Sequence, residues 1–372
     1  MKRHPLVEHP ERGILVSVLV LCGFGLVMVY SSSAVLGIAL ANSPSHFFEG
    51  QIPKLIAGLA LLFCFWHLDY HHLRGHLAWV GVVLAMVILG LVLILHGFRW
   101  FRIGPLSVQP SEFARVAVVV FLASYLSRKE RLIEIHRRAL LVPAAVVFTC
   151  AGLIALEPNM SMAVLFVLLA LGIFFLAGLP MRWLILGVVV PAVIAVLIMR
   201  DYQWDRIHQF LGLGGGDAGY QRDQSITAVG SGGIFGLGLG NGLQKYFFLP
   251  FPHTDFILGI VGEETGLFGT TLLLAGYASL ILMGISCARR APDRFGSLLA
   301  GGLVWNLAMN VLLHAVVNLG IGPVTGVPLP FLSCGGSSLM ANLLAMGILL
   351  SVGRRAVRAR SRDWTAAAGA CA

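Results

Sequence analysis

The chain has 372 residues, of which 58% are hydrophobic and only 12% charged, with a mean hydropathy of +0.86. That balance excludes a soluble globular domain and indicates a polytopic membrane protein. The net charge of +9 is distributed as membrane topology requires; a nucleic-acid binder would instead gather basic residues with aromatics on one soluble face, and no such domain is present.

Apolar runs able to cross a hydrocarbon core of roughly 30 Å recur ten times. In order they cover 13–36, 53–67, 77–95, 112–126, 140–156, 161–178, 183–199, 256–276 with extension toward 287, 298–318 and 338–352. The expected fold is therefore an all-α polytopic membrane protein with ten transmembrane helices and a large extracytoplasmic loop, 200–255, between helices 7 and 8. A single membrane domain would span 1–372, ending in a cytoplasmic tail at 353–372. With both termini cytoplasmic, most of the 26 Lys and Arg fall in inner segments, before 13, at 128–138, at 289–294 and from 354 onward. The first run follows Lys2 and Arg3 but exceeds a usual signal-peptide core, which favours a retained span over cleavage near Ala39-Leu40-Ala41. The six cysteines stand singly and imply no disulfide framework.

Polar groups near the spans carry the functional signal. His67, Asp69, His71, His72 and His76 include histidine pairs at i, i+4 that could bind a metal, but they fall on the cytoplasmic side, away from the other polar groups. Arg99, Trp100 and Arg102 suit either phosphate recognition by guanidinium forks or anchoring at the interface. Glu112 and Arg115, three apart, share a helix face; an ion pair is the simpler reading, catalysis the sharper one. Further positive charge on the expected extracytoplasmic face comes from Arg206, Arg222 and Lys245.

The glycine-rich run 230–242 can either bring backbone amides to a phosphate or pack closely as a re-entrant loop. Its likeness to a dinucleotide fingerprint is weak, since the strand and helix that should flank it are missing. Asp255 follows at the mouth of the eighth span. It reads as a helix cap, which would lower its proton affinity, or as a base whose charge is disfavoured by a partly dry cavity. Beyond it, Gly259, Gly262 and Gly266 form a stripe suited to close helix contact, while at least one of Glu263 and Glu264 must face protein or water, for helix pairing or as a proton relay.

Taken together, Gly97-Phe98-Arg99-Trp100, Gln109-Pro110-Ser111-Glu112-Phe113, 219–225, Gly230-Ser231-Gly232-Gly233, His253-Thr254-Asp255-Phe256-Ile257, 328–333 and Gly335-Gly336-Ser337-Ser338 resemble the SEDS family of shape, elongation, division and sporulation proteins. The motifs occur in order along nearly the whole chain. The resemblance implies a ten-span bacterial inner-membrane glycosyltransferase with its active face toward the periplasm. Such an enzyme polymerises lipid II into glycan strands and works with a class B penicillin-binding protein and the elongation machinery. The run 323–330 and the stretch 206–219 look more like the elongation member, RodA, than the division member, FtsW.

By the same resemblance the essential aspartate falls on Asp255. The substrate-binding candidates become Arg99, Trp100, Arg102, Gln109, Glu112, Arg115, Lys245, Thr254 and Ser337, and a divalent cation, Mg or Mn, is an open possibility as cofactor. Phe251, Glu157, Asn159 and Cys334 depart from the family's usual residues, so no family role carries over to them. A lipid II flippase and a noncatalytic scaffold for the penicillin-binding protein are the alternative functions, since intramembrane charges and Gly/Pro-broken segments suit a transporter equally well.

Overall fold

A computed structural model describes residues 10–96, 101–103, 106–128, 137–157, 159–199, 201–213 and 216–370. In chain order, α1 (Pro10–Ala41), α2 (His46–His67), α3 (His76–His96) and α4 (Pro110–Arg128) precede three shorter apolar helices, α5 (Leu141–Leu156), α6 (Met160–Leu176) and α7 (Met181–Ile198). Two polar helices follow, α8 (Asp201–Phe210) and α9 (Asp217–Ser231), then the long α10 (Ile257–Arg290), α11 (Arg294–Asn318) and α12 (Gly336–Ala370). Seven of these, α1 to α4 and α10 to α12, are long and apolar enough to cross a membrane. The chain is thus a helical, multi-pass membrane protein, and each apolar run expected from the sequence falls on one apolar helix.

Two features depart from the expected outline. The segment before α4 contains a short antiparallel hairpin, β1 (Phe101–Ile103) with β2 (Leu106–Val108), in which Arg102 lies opposite Ser107. The long loop is also partly helical, since α8 and α9 occupy its first half. Composition understates both, because apolar run length detects spans and passes over short polar elements.

The centre of the bundle is α4, packed by α3, α5, α6, α11 and α12 and buried almost all round. Its Val118, Val119, Phe121 and Leu122 are fully enclosed. A helix that is apolar on every side belongs at such a position. Along α2 runs α12, so closely that a Cβ on Gly347 would sit 2.5 Å from the Leu62 carbonyl oxygen. Small residues permit that backbone approach where lipid offers no hydrophobic drive for helix pairing. By contrast α7 leans chiefly on α6 and exposes Ile185, Val189, Val193 and Leu197, an apolar surface that hydrocarbon covers. Between α6, α7, α10 and α11 a lateral apolar cavity of about 760 Å³ opens, lined by Leu171, Phe175, Leu184, Ile285 and Trp305.

At the end of the bundle where α2 stops, the histidine cluster forms a latch. His67 closes α2, residues 70–73 make a 3-10 turn, and His76 opens α3, so the i, i+4 pairs do not share a helix. Among the described residues no group of three or more His, Cys, Asp or Glu side chains could hold a metal. Instead Asp69 accepts hydrogen bonds from Arg355 and from the His71 backbone amide, and Tyr70 donates to Asp293. Burial alone would raise the Asp69 carboxyl, but the hydrogen bonds from His71 and the Arg355 charge hold it below the usual range.

Candidate functional site

At the opposite end, where α4 and α10 begin, the glycine-rich segment after α9 folds against the first turns of α10. The Leu237 and Gly238 amides donate to the Glu263 and Glu264 carbonyls at 3.0 Å each, and Leu267 and Phe268 donate to Gly233 and Ile234 at 2.9 and 3.0 Å. Gly266, at φ 67°, ψ −168°, interrupts α10 to allow this pairing. A Cβ there would lie 2.4 Å from the Gly236 amide nitrogen, and one on Gly232 only 2.0 Å from the Gly262 carbonyl oxygen. The glycines therefore serve close backbone approach, and the expected stripe does its work: Gly259 faces Ser225 and Ala228 of α9, and Gly262 faces Val229.

The two glutamates close this knot. Glu263 accepts from the Leu243 amide at 2.7 Å and from Gln244, while Glu264 receives the Lys245 ammonium at 2.7 Å, both hydroxyl contacts of Ser31 on α1, and the Gly240 amide at 3.1 Å. Lys245 also donates to the Gly240 carbonyl at 2.6 Å and is 5% exposed. Lys245 is one of the residues expected among the substrate contacts, and in this structure its ammonium is paired with Glu264. This is the pairing role anticipated for the glutamates.

Asp255 sits on the turn that leads into α10 and is partly exposed. Three partners fix that turn through its backbone. Ser333 Oγ donates to the Thr254 carbonyl at 2.6 Å, the Cys334 amide donates to the His253 carbonyl at 2.9 Å, and Asn318 Nδ2 donates to the Asp255 carbonyl at 3.1 Å. Gly326 lies against the carboxylate, its ideal Cβ position 3.7 Å from Oδ2. The helix N-cap is Phe256, whose side chain makes no cap bond. Thr254 Oγ1 turns back to the Phe251 carbonyl at 3.4 Å. Burial pushes the neighbouring His253 imidazole down to about 4, and its ring packs on Phe47 at 4.7 Å.

The other predicted residues take different roles. Glu112 and Arg115 form an ion pair in the first turns of α4, 1% and 2% exposed, with Arg115 Nη1 donating to Asn310 Oδ1 of α11 at 2.6 Å. Among the described residues, Glu112 Oε1, Arg115 Nε and the buried hydroxyl of Ser111 have no hydrogen-bond partner. Ser337 Oγ accepts the Gln109 amide at 2.8 Å and donates to the Ser107 carbonyl at 3.2 Å, tying β2 to the start of α12. Arg99 and Trp100 lie outside the described residues, and Arg102 is placed only by its backbone in β1.

Sequence reading passed over the element that connects these groups. Asn306, Asn310, His314 and Asn318 recur every fourth residue of α11, each 4% exposed or less. Asn310 Nδ2 donates to the Asn306 carbonyl at 2.8 Å, His314 Nδ1 meets the Val327 carbonyl at 2.9 Å, and Asn318 Nδ2 also donates to the His314 carbonyl at 2.9 Å. Residues four apart share a helix face, so one polar stripe runs from the Glu112–Arg115 pair to the Asp255 turn, about 12 Å along the axis from Asn310 to Asn318. Its signal was present as a four-residue polar period within an apolar span. Gln51 of α2 was likewise missed; its amide reaches the Ser333 carbonyl at 3.4 Å.

Comparison with known proteins accords with this arrangement. The FtsW/RodA/SpoVE family model, described as cell cycle protein, matches residues 12–357. Stage V sporulation protein E of Bacillus subtilis is 36% identical over 361 residues, covering 93% of this chain and 97% of the relative. The probable peptidoglycan glycosyltransferase FtsW of the same organism is 33% identical over 367 residues, covering 93% and 91%. Among solved structures, the rod shape determining protein RodA of Thermus thermophilus superposes with a TM-score of 0.69 at 27% identity, covering 92% of this chain and 96% of that one. A chain from a study of a peptidoglycan synthase complex that coordinates polymerization and crosslinking superposes at 0.75 with 28% identity, covering 92% and 97%. The protein belongs to the FtsW/RodA/SpoVE family, the SEDS family of the sequence resemblance.

Proposed function

We propose that this protein is a peptidoglycan glycosyltransferase that polymerises lipid II, with Asp255 as the general base. In this reading Asp255 removes the proton from the sugar 4-hydroxyl of the acceptor as that oxygen bonds to the anomeric carbon of the donor chain. The bond from that carbon to the diphosphate oxygen breaks, and undecaprenyl diphosphate departs with the electron pair. Diphosphate leaves without an acid to protonate it, so one carboxylate suffices, in contrast with the two of glycoside hydrolases.

The observation that carries this reading is the partly exposed Asp255 on a turn held by backbone bonds to Ser333, Cys334 and Asn318. Fixed geometry at a reacting proton is what base catalysis requires. Arg99 and Arg102 are the proposed cations for the leaving diphosphate. A Mg or Mn ion, if the reaction uses one, would be held by diphosphate oxygens together with at most one or two carboxylates, the usual mode for magnesium at phosphate. The proposed cellular role is wall elongation alongside a class B penicillin-binding protein, supported by RodA among the structural neighbours; the relatives named FtsW and SpoVE are the competing assignment.

Purified protein given lipid II in detergent tests the reading, because only a polymerase makes glycan chains where no membrane separates two compartments. Polymerisation should fall by about 10²-fold or more in Asp255→Ala, the usual range for a lost general base. Chain growth at the original rate by a folded Asp255→Ala protein would refute the assignment.

A further inference from the structure

We infer that Asn318 is the positioning residue of the Asp255 turn, acting as a neutral helix cap supplied from another helix. This rests on the reading of Asp255 as the base. The first turn of α10 needs acceptors for its amides, and its own N-cap residue, Phe256, provides none from its side chain. Asn318 Oδ1 accepts the amide of Gly259, the third residue of α10, at 3.0 Å, an N–H that also reaches the Phe256 carbonyl at 3.0 Å. The same side chain donates through Nδ2 to the Asp255 carbonyl at 3.1 Å and to the His314 carbonyl at 2.9 Å. Both amide protons and the carbonyl oxygen are thus engaged, which fixes the orientation of the group.

Asn318 is also the last residue of α11, and its own carbonyl accepts the Ser225 hydroxyl of α9 at 2.9 Å. With 0% exposure it joins three helices at the point where the turn carrying Asp255 enters α10. An asparagine meets this demand where an aspartate would not. The carbonyl of Asp255 takes a donor from this side chain, and the amide of Gly259, shared with the Phe256 carbonyl, takes an acceptor from it; an uncharged amide gives both without adding a negative charge to the turn that carries the base.

The test compares Asn318→Asp and Asn318→Ala in the full-length protein, measuring lipid II polymerisation from about pH 5 to 9 and thermal unfolding in detergent. Asn318→Asp keeps the acceptor for Gly259 but loses the donor to Asp255 and adds a like charge. Its pH–rate profile should move up by about one unit on the acid limb, with activity at neutral pH reduced and recovered at higher pH. Asn318→Ala should lower turnover at least tenfold with little change in the KM for lipid II, and should add no further loss in an Asp255→Ala background, since the two act as a unit. An unmoved pH profile in Asn318→Asp, or a loss in Asn318→Ala that persists additively in Asp255→Ala, would reduce Asn318 to a packing residue and overturn the inference. Active Asp255→Ala protein would instead refute the base itself, so the two failures are distinct.

Discussion

Glu112 and Arg115 show what a charge needs in order to survive inside this bundle. Both are sealed among apolar helices, and Arg115 has a second partner in Asn310. Removing one member of a buried pair leaves the other uncompensated, which typically costs about 3–5 kcal/mol, whereas replacing both is often close to neutral. Arg115→Met should therefore unfold at markedly lower temperature in detergent, and Glu112→Leu/Arg115→Met should recover most of the loss. A double variant that is stable yet inactive would show that the pair serves the site as well as the fold.

His253 supplies a pH dependence of stability with a definite sign. Burial holds its imidazole near 4, below the 6.5 of the unfolded chain, so the unfolded state binds more protons between those values. The contribution is fully present above about pH 6.5 and is lost as pH falls toward 4. Moving from pH 7 to 5 should remove about 2 kcal/mol through this residue. Thermal unfolding of His253→Phe should lose that part of the acid sensitivity, with Phe47 still available to pack against the new ring.

Among the elements, the glycine-rich segment and the start of α10 behave as one unit. Lys245 and Glu264 lie at its centre, where the segment meets α10 and Ser31 of α1. Lys245→Met should strand the Glu264 charge and release the segment, detected as faster proteolysis between α9 and α10. Adding Glu264→Gln should restore protection, whereas unchanged cleavage in Lys245→Met would mean that the backbone bonds suffice. The composition of this segment could be read as phosphate-binding or as close packing. Glycine tolerates both, and the choice lay in α10, whose carbonyls and carboxylates take several of its amides.

Across the whole molecule, the latch and the Asp255 turn occupy opposite ends of the bundle. The latch joins the α2–α3 turn to the α10–α11 turn through Tyr70 and Asp293, and to α12 through Asp69 and Arg355. Arg355 is exposed and its ion pair screened, so Arg355→Ala should change stability by less than about 1 kcal/mol. Tyr70 is fully buried, and Tyr70→Phe leaves Asp293 with less compensation, so it should cost more, about 1–3 kcal/mol. Calorimetry of the two variants side by side measures this order. Neither should alter the pH profile of polymerisation, because the latch makes no contact with the Asp255 turn among the described residues.

The sequence by itself determined that the chain is a helical, multi-pass membrane protein and where its apolar helices fall, together with the stripe of small residues on α10 and the candidacy of Asp255. Each is a local property: run length against bilayer thickness, residue size at helical spacing, and charge where charge is costly. Which partner each polar group finds was decided only by the tertiary structure. Lys245 could face substrate or Glu264, and His67 and His71 could share a helix or be parted by a turn. Those choices depend on donors and acceptors far apart in the chain, Asn318 and Gly259 among them, and in a dry interior the pairing that leaves fewest groups unsatisfied wins.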